Sequence, residues 1–203
     1  MSKIRQLINE TTEISGRLSF PDLIKATTQY EISKLDLKNN ENDRELFKEL
    51  TNATKNFIDY TNRIRQRFEG NRINEVGKRI EEAFVEELKK TKLRPELLRK
   101  AGYPDMKIND RAERITYLES KAISEDWGST FRSFYYTDGS KIDSNARHLL
   151  IAWHIKEERE RYWKVIGWKI CDLYNLEQID VKLEFNSNNR ILYSNSMIFD
   201  HYP

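Results

Sequence analysis

GYPDMKINDRAERITYLESKAIS, residues 102–124, is where the chain changes its periodicity. Upstream, apolar residues recur at helical spacing. Leu46, Phe47, Leu50, Ala53, Phe57, Ile58, Ile64 and Phe68 fall near one face of a helix expected over Asp43–Phe68, with Gly70 as its stop. Ile73, Val76, Ile80, Ala83, Phe84 and Leu88 form the stripe of a second helix, expected over Ile73–Lys90. Within the quoted stretch the period drops to two, and Ile115 to Ile123 alternates as a strand does. Downstream, FRSFYYTD, HLLIAWHI and YWKVIGWKI are short, aromatic or β-branched and separated by turn-rich segments, so strands are expected there too. HLLIAWHI has a rival reading as a helix running from a Ser144 cap through Trp163. Helices followed by strands point to an α/β (α+β) fold, a mixed sheet flanked by helices. Residues 1–70 are expected as a helical region and 71–203 as the sheet-bearing core.

Composition narrows the function classes. With 203 residues the chain can bury a substantial core, and 38% hydrophobic and 11% aromatic content argue against disorder. A mean hydropathy of −0.80 and the absence of any long apolar run exclude a membrane span, and the N-terminal MSKIRQLINETTE has no signal-peptide core, so a soluble, cytoplasmic protein is expected. The formal net charge is only +2, which confines any nucleic-acid site to a local basic patch. A single cysteine, Cys171, excludes an intramolecular disulfide and any cysteine-based zinc site, and its apolar surroundings suggest a small core residue.

Five acid-x-Lys triplets occur: Asp36–Lys38, Glu87–Lys89, Asp105–Lys107, Glu119–Lys121 and Asp180–Lys182. Five matches make the triplet alone nearly uninformative, and context has to sort them. Glu87 and Lys89 sit in a helix, where positions two apart diverge. Asp36 and Lys38 lie in a polar connection. Glu119 and Lys121 fall in the alternating run, so carboxylate and ammonium project from one strand face while Ser120 points the other way. Asp180 and Lys182 have the same potential geometry and compete with them. Fourteen positions before Glu119 stands Asp105, in Pro104-Asp105. A second Pro-Asp, at Pro21-Asp22, has the Ser19-x-x-Asp22 spacing of a helix N-terminus and is accounted for by capping. Capping does not account for Asp105.

Tyr103-Pro104-Asp105 followed by Leu118-Glu119-Ser120-Lys121-Ala122 resembles the PD-(D/E)XK nuclease superfamily, and most closely its type II restriction endonucleases. The helix Asn74-Glu75-Val76-Gly77-Lys78-Arg79-Ile80-Glu81 is similar to the one that sets a glutamate beside the site in many members. The tail Val181-Lys182-Leu183-Glu184-Phe185-Asn186 is also similar to C-terminal segments of restriction enzymes. The resemblance implies a restriction-endonuclease-like core and Mg²⁺-dependent, sequence-specific hydrolysis of double-stranded DNA to 5′-phosphate and 3′-hydroxyl ends. Asp105 and Glu119 would be metal-binding carboxylates, with the Ser120 carbonyl as a further oxygen ligand, and Lys121 would orient water and offset phosphate charge. Glu81 flanks the apolar stripe of its helix while Glu75 lies nearly opposite, which favours Glu81 as the helix glutamate; an ordinary solvated helix face accounts equally well for either. The family's common core has a helix between its third and fourth strands that this sequence does not mark. A homodimer cutting both strands is expected. The alternatives are a structure-specific nuclease of the same fold, such as a junction resolvase or repair nuclease, and a non-catalytic DNA-binding protein.

Two polar segments are candidates for reading DNA: Arg132, Lys141, Asn145 and Arg147 around Asp138-Gly139-Ser140, and Asn186, Asn188, Asn189 and Arg190 near the C-terminus. Each residue has a plain alternative as a turn former. His148 and His154 bracket an apolar run and read as packed or edge histidines.

Overall fold

The structure, a computed structural model, describes residues 3–128 and 141–181. FRSFYYTD lies outside them. Two compact units divide the chain. Among the described residues one comprises Lys3–Leu18 with Gln178–Val181, the other Ser19–Glu177. In the smaller unit, helix α1 (Lys3–Ile14) ends before Gly16, whose left-handed φ of 74° turns the chain so that its N–H donates to the Ile179 carbonyl at 2.8 Å. Leu18 and Ile179 then form an antiparallel bridge.

The larger unit begins with α2 (Phe20–Thr28). Ser19 is its N-cap, its Oγ accepting from the Asp22 N–H, with Pro21 in the first turn, as the sequence reading required of this Pro-Asp pair. There follow α3 (Glu41–Arg63), β1 (Phe68–Glu69), α4 (Ile73–Leu88), β2 (Arg94–Leu97), β3 (Met106–Asn109), β4 (Ile115–Ile123), β5 (Arg147–Arg159), β6 (Tyr162–Asp172) and a short 3₁₀ turn at Leu173–Asn175. The six strands form one mixed sheet in the order β1-β6-β5-β4-β3-β2, in which β4 and β5 are parallel and all other neighbours antiparallel. The α+β architecture with a restriction-endonuclease-like core is therefore present. Among the described residues of the β4–β5 connection there is no helix. No helix among the described residues is long and apolar enough to cross a membrane.

One core joins α3, α4 and a single face of the sheet. Leu46, Leu50, Ala53 and Phe57 of α3 meet Val76, Ile80, Phe84 and Leu88 of α4, and both meet Leu118, Leu149, Ile151, Trp153 and Ile155. Trp153 is the keystone, with Phe84 at 4.8 Å and Phe57 at 5.4 Å between ring centroids. Phe68 and Glu69 of β1 pair with Trp163 and Tyr162 of β6, which ties the segment between α3 and α4 to the sheet.

Three expectations need correction. The helix expected to reach Phe68 ends at Arg63, since Arg65 takes a left-handed φ of 53° and Phe68 is used as an edge strand. The rival helix from Ser144 does not form: β5 runs through 13 residues, because its Leu149, Ile151, Trp153 and Ile155 alternate into the core. Cys171, expected in the core, is exposed, because alternation along β6 turns it to the face opposite α3 and α4.

Candidate active site

The site arises where β3 stops short. Its last residue toward that end, Met106, pairs with Leu118, so Glu119–Ile123 of β4 continue without a β3 partner. The N–H of Ser120 would be left without a ladder acceptor, and Asp105, the residue before β3, supplies one: its Oδ2 accepts from Ser120 N at 2.8 Å. This bond brings Asp105 beside Glu119 across the intervening turn. Ser120 points to the helix face, where its Oγ accepts from Trp153 Nε1 at 3.0 Å. Glu119 and Lys121 project to the opposite face and form an ion pair with each other.

Glu119 is only 2% exposed, and its Oε2 is buried with no hydrogen-bond donor. Burial first, then the Asp105 charge, push its pKa up to about 7, against the pull of Lys121. While both carboxylates are ionised neither can donate to the other, so Oε2 waits for a proton or a cation. Glu81 of α4 is part of the same field: burial, then Asp105 and Glu119, raise its pKa to about 7 as well. Its reach depends on close packing of α4 on β4, where a Cβ added to Gly77 would stand 3.4 Å from that of Ala122. Glu81, Asp105, Ser120 and Lys121 line a cleft of about 470 Å³ whose other wall is Leu98–Ala101. Glu75 instead accepts from the Asn71 N–H at the start of α4.

The candidate DNA-reading residues separate. Lys141 comes to the carboxylate cluster: its Nζ donates to the carbonyls of Leu98 (3.2 Å) and Lys100 (2.9 Å), and its charge is felt by Asp105, Glu119 and Glu81. Burial lowers its pKa while the three carboxylates oppose the shift. Asn145 is engaged elsewhere, its Oδ1 accepting from the Glu31 N–H at 2.7 Å. Arg147 is buried and pairs at 2.6 Å with Asp43, itself 1% exposed, in a network that includes Arg114 and Asp110. That network commits its guanidinium to the interior rather than to a base edge. Arg132, Asn186, Asn188, Asn189, Arg190 and Lys182 lie outside the described residues.

Of the rival triplets, Asp36 accepts from the N–H groups of Lys38 and Asn39 in a turn, Glu87 pairs with Lys90, and Lys107 pairs with Asp143. Asp180 is exposed and belongs to the smaller unit. A support for Asp105 escaped the sequence reading: Tyr103 and His148, both buried, share a 2.7 Å hydrogen bond between Oη and Nδ1, with Phe20 edge-on to the Tyr103 ring. Nothing local ties two residues 45 apart, although Tyr103 stands beside the Pro-Asp pair.

Among the described residues no group of three or more His, Cys, Asp or Glu side chains forms a ready-made metal cage. The donor set is oxygen-only, two carboxylates and a strand carbonyl, with an unsatisfied buried acceptor on Glu119. That suits a hard divalent cation which retains several of its waters. A family model, that of the Type II restriction enzyme MjaV family, matches residues 14–196. No curated protein and no solved structure matches the chain.

Proposed function

The chain belongs to the Type II restriction enzyme MjaV family, a family of site-specific DNA nucleases, and on that premise we propose that Asp105, Glu119 and Lys121 form its active centre for Mg²⁺-dependent hydrolysis of double-stranded DNA. The observation that carries this reading is the buried, donor-less Oε2 of Glu119 beside Asp105, with Lys121 paired to the same carboxylate. Holding the buried Glu119 carboxylate beside that of Asp105 is unfavourable without a cation, so the pair makes chemical sense as a metal site. Asp105, Glu119 and the Ser120 carbonyl would hold the ion, and Glu81 would hold one of its waters. Mg²⁺, when bound, supplies Lewis-acid charge for the phosphoryl group and the leaving 3′-oxygen.

The protein's own part is orientation and charge. Lys121, paired with Glu119, orients the attacking water and offsets phosphate charge rather than serving as a base. Attack on phosphorus with departure of the 3′-oxygen leaves 5′-phosphate and 3′-hydroxyl ends. Cutting both strands with one centre per chain calls for two copies, so the active species is a homodimer on DNA.

Plasmid digestion tests the reading. Discrete, sequence-defined fragments with Mg²⁺ and none with EDTA are expected. Metal-independent cutting, or cutting of branched substrates alone, would overturn it.

A further inference from the structure

The proposed active centre occupies one end of a row that crosses the sheet. Lys121 pairs in register with Ala152 on β5, and Ala152 with Lys169 on β6. Register partners share a face, so the two lysines stand on the same side of the sheet with only a methyl between them. Strand spacing separates their backbones by about 10 Å. Lys169 is exposed, and among the described residues no carboxylate pairs with it.

The next row holds Ile123, His154 and Gly167. Gly167 presents no side chain there, and the indole of Trp127 lies over it: a Cβ at Gly167 would stand 3.9 Å from the Trp127 ring and 3.6 Å from the His154 Cβ. Trp127 meets His154 edge-on at 5.2 Å, and the Lys169 ammonium sits 4.4 Å from the Trp127 ring centroid. The ring therefore holds a long, otherwise free side chain in one place, beside Lys121 and on the same face.

Resting on the proposed function above, we infer that Lys169, held by Trp127 and in line with Lys121 across Ala152, is a phosphate-contacting residue that seats the DNA backbone next to the scissile bond. Duplex DNA rises 3.4 Å per nucleotide along a strand, so a 10 Å separation places the contact within about three nucleotides of the cut. The contact is independent of base identity and contributes affinity, not sequence choice.

The test compares salt-dependent binding of a 40-base-pair mixed-sequence duplex by Glu119→Gln protein with and without Lys169→Gln. Losing one phosphate contact should lower the slope of log K against log salt by about 0.9 and weaken binding roughly threefold to tenfold near physiological salt. Lys169→Arg should restore both. In otherwise wild-type protein the loss from Lys169→Gln should fall on KM and spare kcat. Trp127→Leu should produce a partial loss by freeing the lysine. An unchanged salt slope in Lys169→Gln overturns the inference, as does a loss confined to kcat. A parallel Mg²⁺ digest by the wild-type protein keeps the two failures apart. If it cuts at defined sites while the slope is unchanged, only the Lys169 contact fails. If it does not cut, the proposed function fails, whatever the slope.

Discussion

Removing the charge of Glu119 should stabilise the fold while ending its activity. Glu119 is 2% exposed and carries a pKa of about 7 against an ordinary 4.5. A carboxyl whose folded pKa is raised binds more protons folded than unfolded between those values. Stability therefore falls as pH rises from 4.5 to 7, and the whole cost is present above 7. The gap corresponds to roughly 3 kcal/mol. In Glu119→Gln the amide carbonyl can still accept from Lys121 and the amide N–H can donate to Asp105, so no buried polar atom is orphaned. Part of the Lys121 attraction is lost, so a net gain of about 1–3 kcal/mol is expected above pH 7, or roughly 3–10 °C in Tm for a chain of this size. Urea or thermal melts of both proteins from pH 5 to 9 in EDTA measure it, and their difference isolates Glu119 from other titrating groups. The difference should open between pH 5 and 8 in favour of the variant. Added Mg²⁺ should narrow it by stabilising only the wild-type protein. A variant less stable than wild type at pH 8, or a difference independent of pH, would refute the electrostatic account.

Glu81→Gln should slow cleavage and also raise stability above pH 7, whereas Glu75→Gln should leave cleavage intact and cost at most about 1 kcal/mol through its contact at the start of α4; steady-state digestion rates and melts separate the two. Asp43→Ala should destabilise by about 3–5 kcal/mol, because it leaves Arg114 and the buried Arg147 without their shared carboxylate; denaturant titration gives the number. His148, held neutral by burial with a pKa near 3 instead of 6.5, should make the protein acid-sensitive. The unfolded chain takes up that proton below 6.5 and the folded chain does not, so stability should decline from pH 6.5 toward 3 by on the order of 4 kcal/mol, and His148→Asn should lose that slope in acid melts.

Much of this was legible in the chain itself. The alternation of Ile115–Ile123 is β4 to the residue, the stripe on Ile73–Leu88 is α4, and Ser19 caps α2 as its spacing requires. These are local signals, in which period and cap chemistry act within a few positions. The meeting of Asp105 with Glu119 was half legible: strand geometry paired Glu119 with Lys121, but the unpartnered Ser120 N–H that draws Asp105 in depends on where β3 ends. Arg147 and Asn145 look like a DNA-reading loop because polarity in a turn carries no sign of its partner. Their engagement with Asp43 and Glu31 joins residues more than 100 positions apart. Lys169 was hidden for the same reason, since only the register of β4, β5 and β6 aligns it with Lys121.

The central claim is that Asp105, brought back to Glu119, completes the cleavage centre. Plasmid digestion with Mg²⁺ by two folded variants, Asp105→Asn and Asp180→Asn, tests it most directly. The account predicts intact plasmid with Asp105→Asn and a wild-type fragment pattern with Asp180→Asn. Wild-type cutting by Asp105→Asn together with an inert Asp180→Asn would contradict it and move the chemistry to the later triplet.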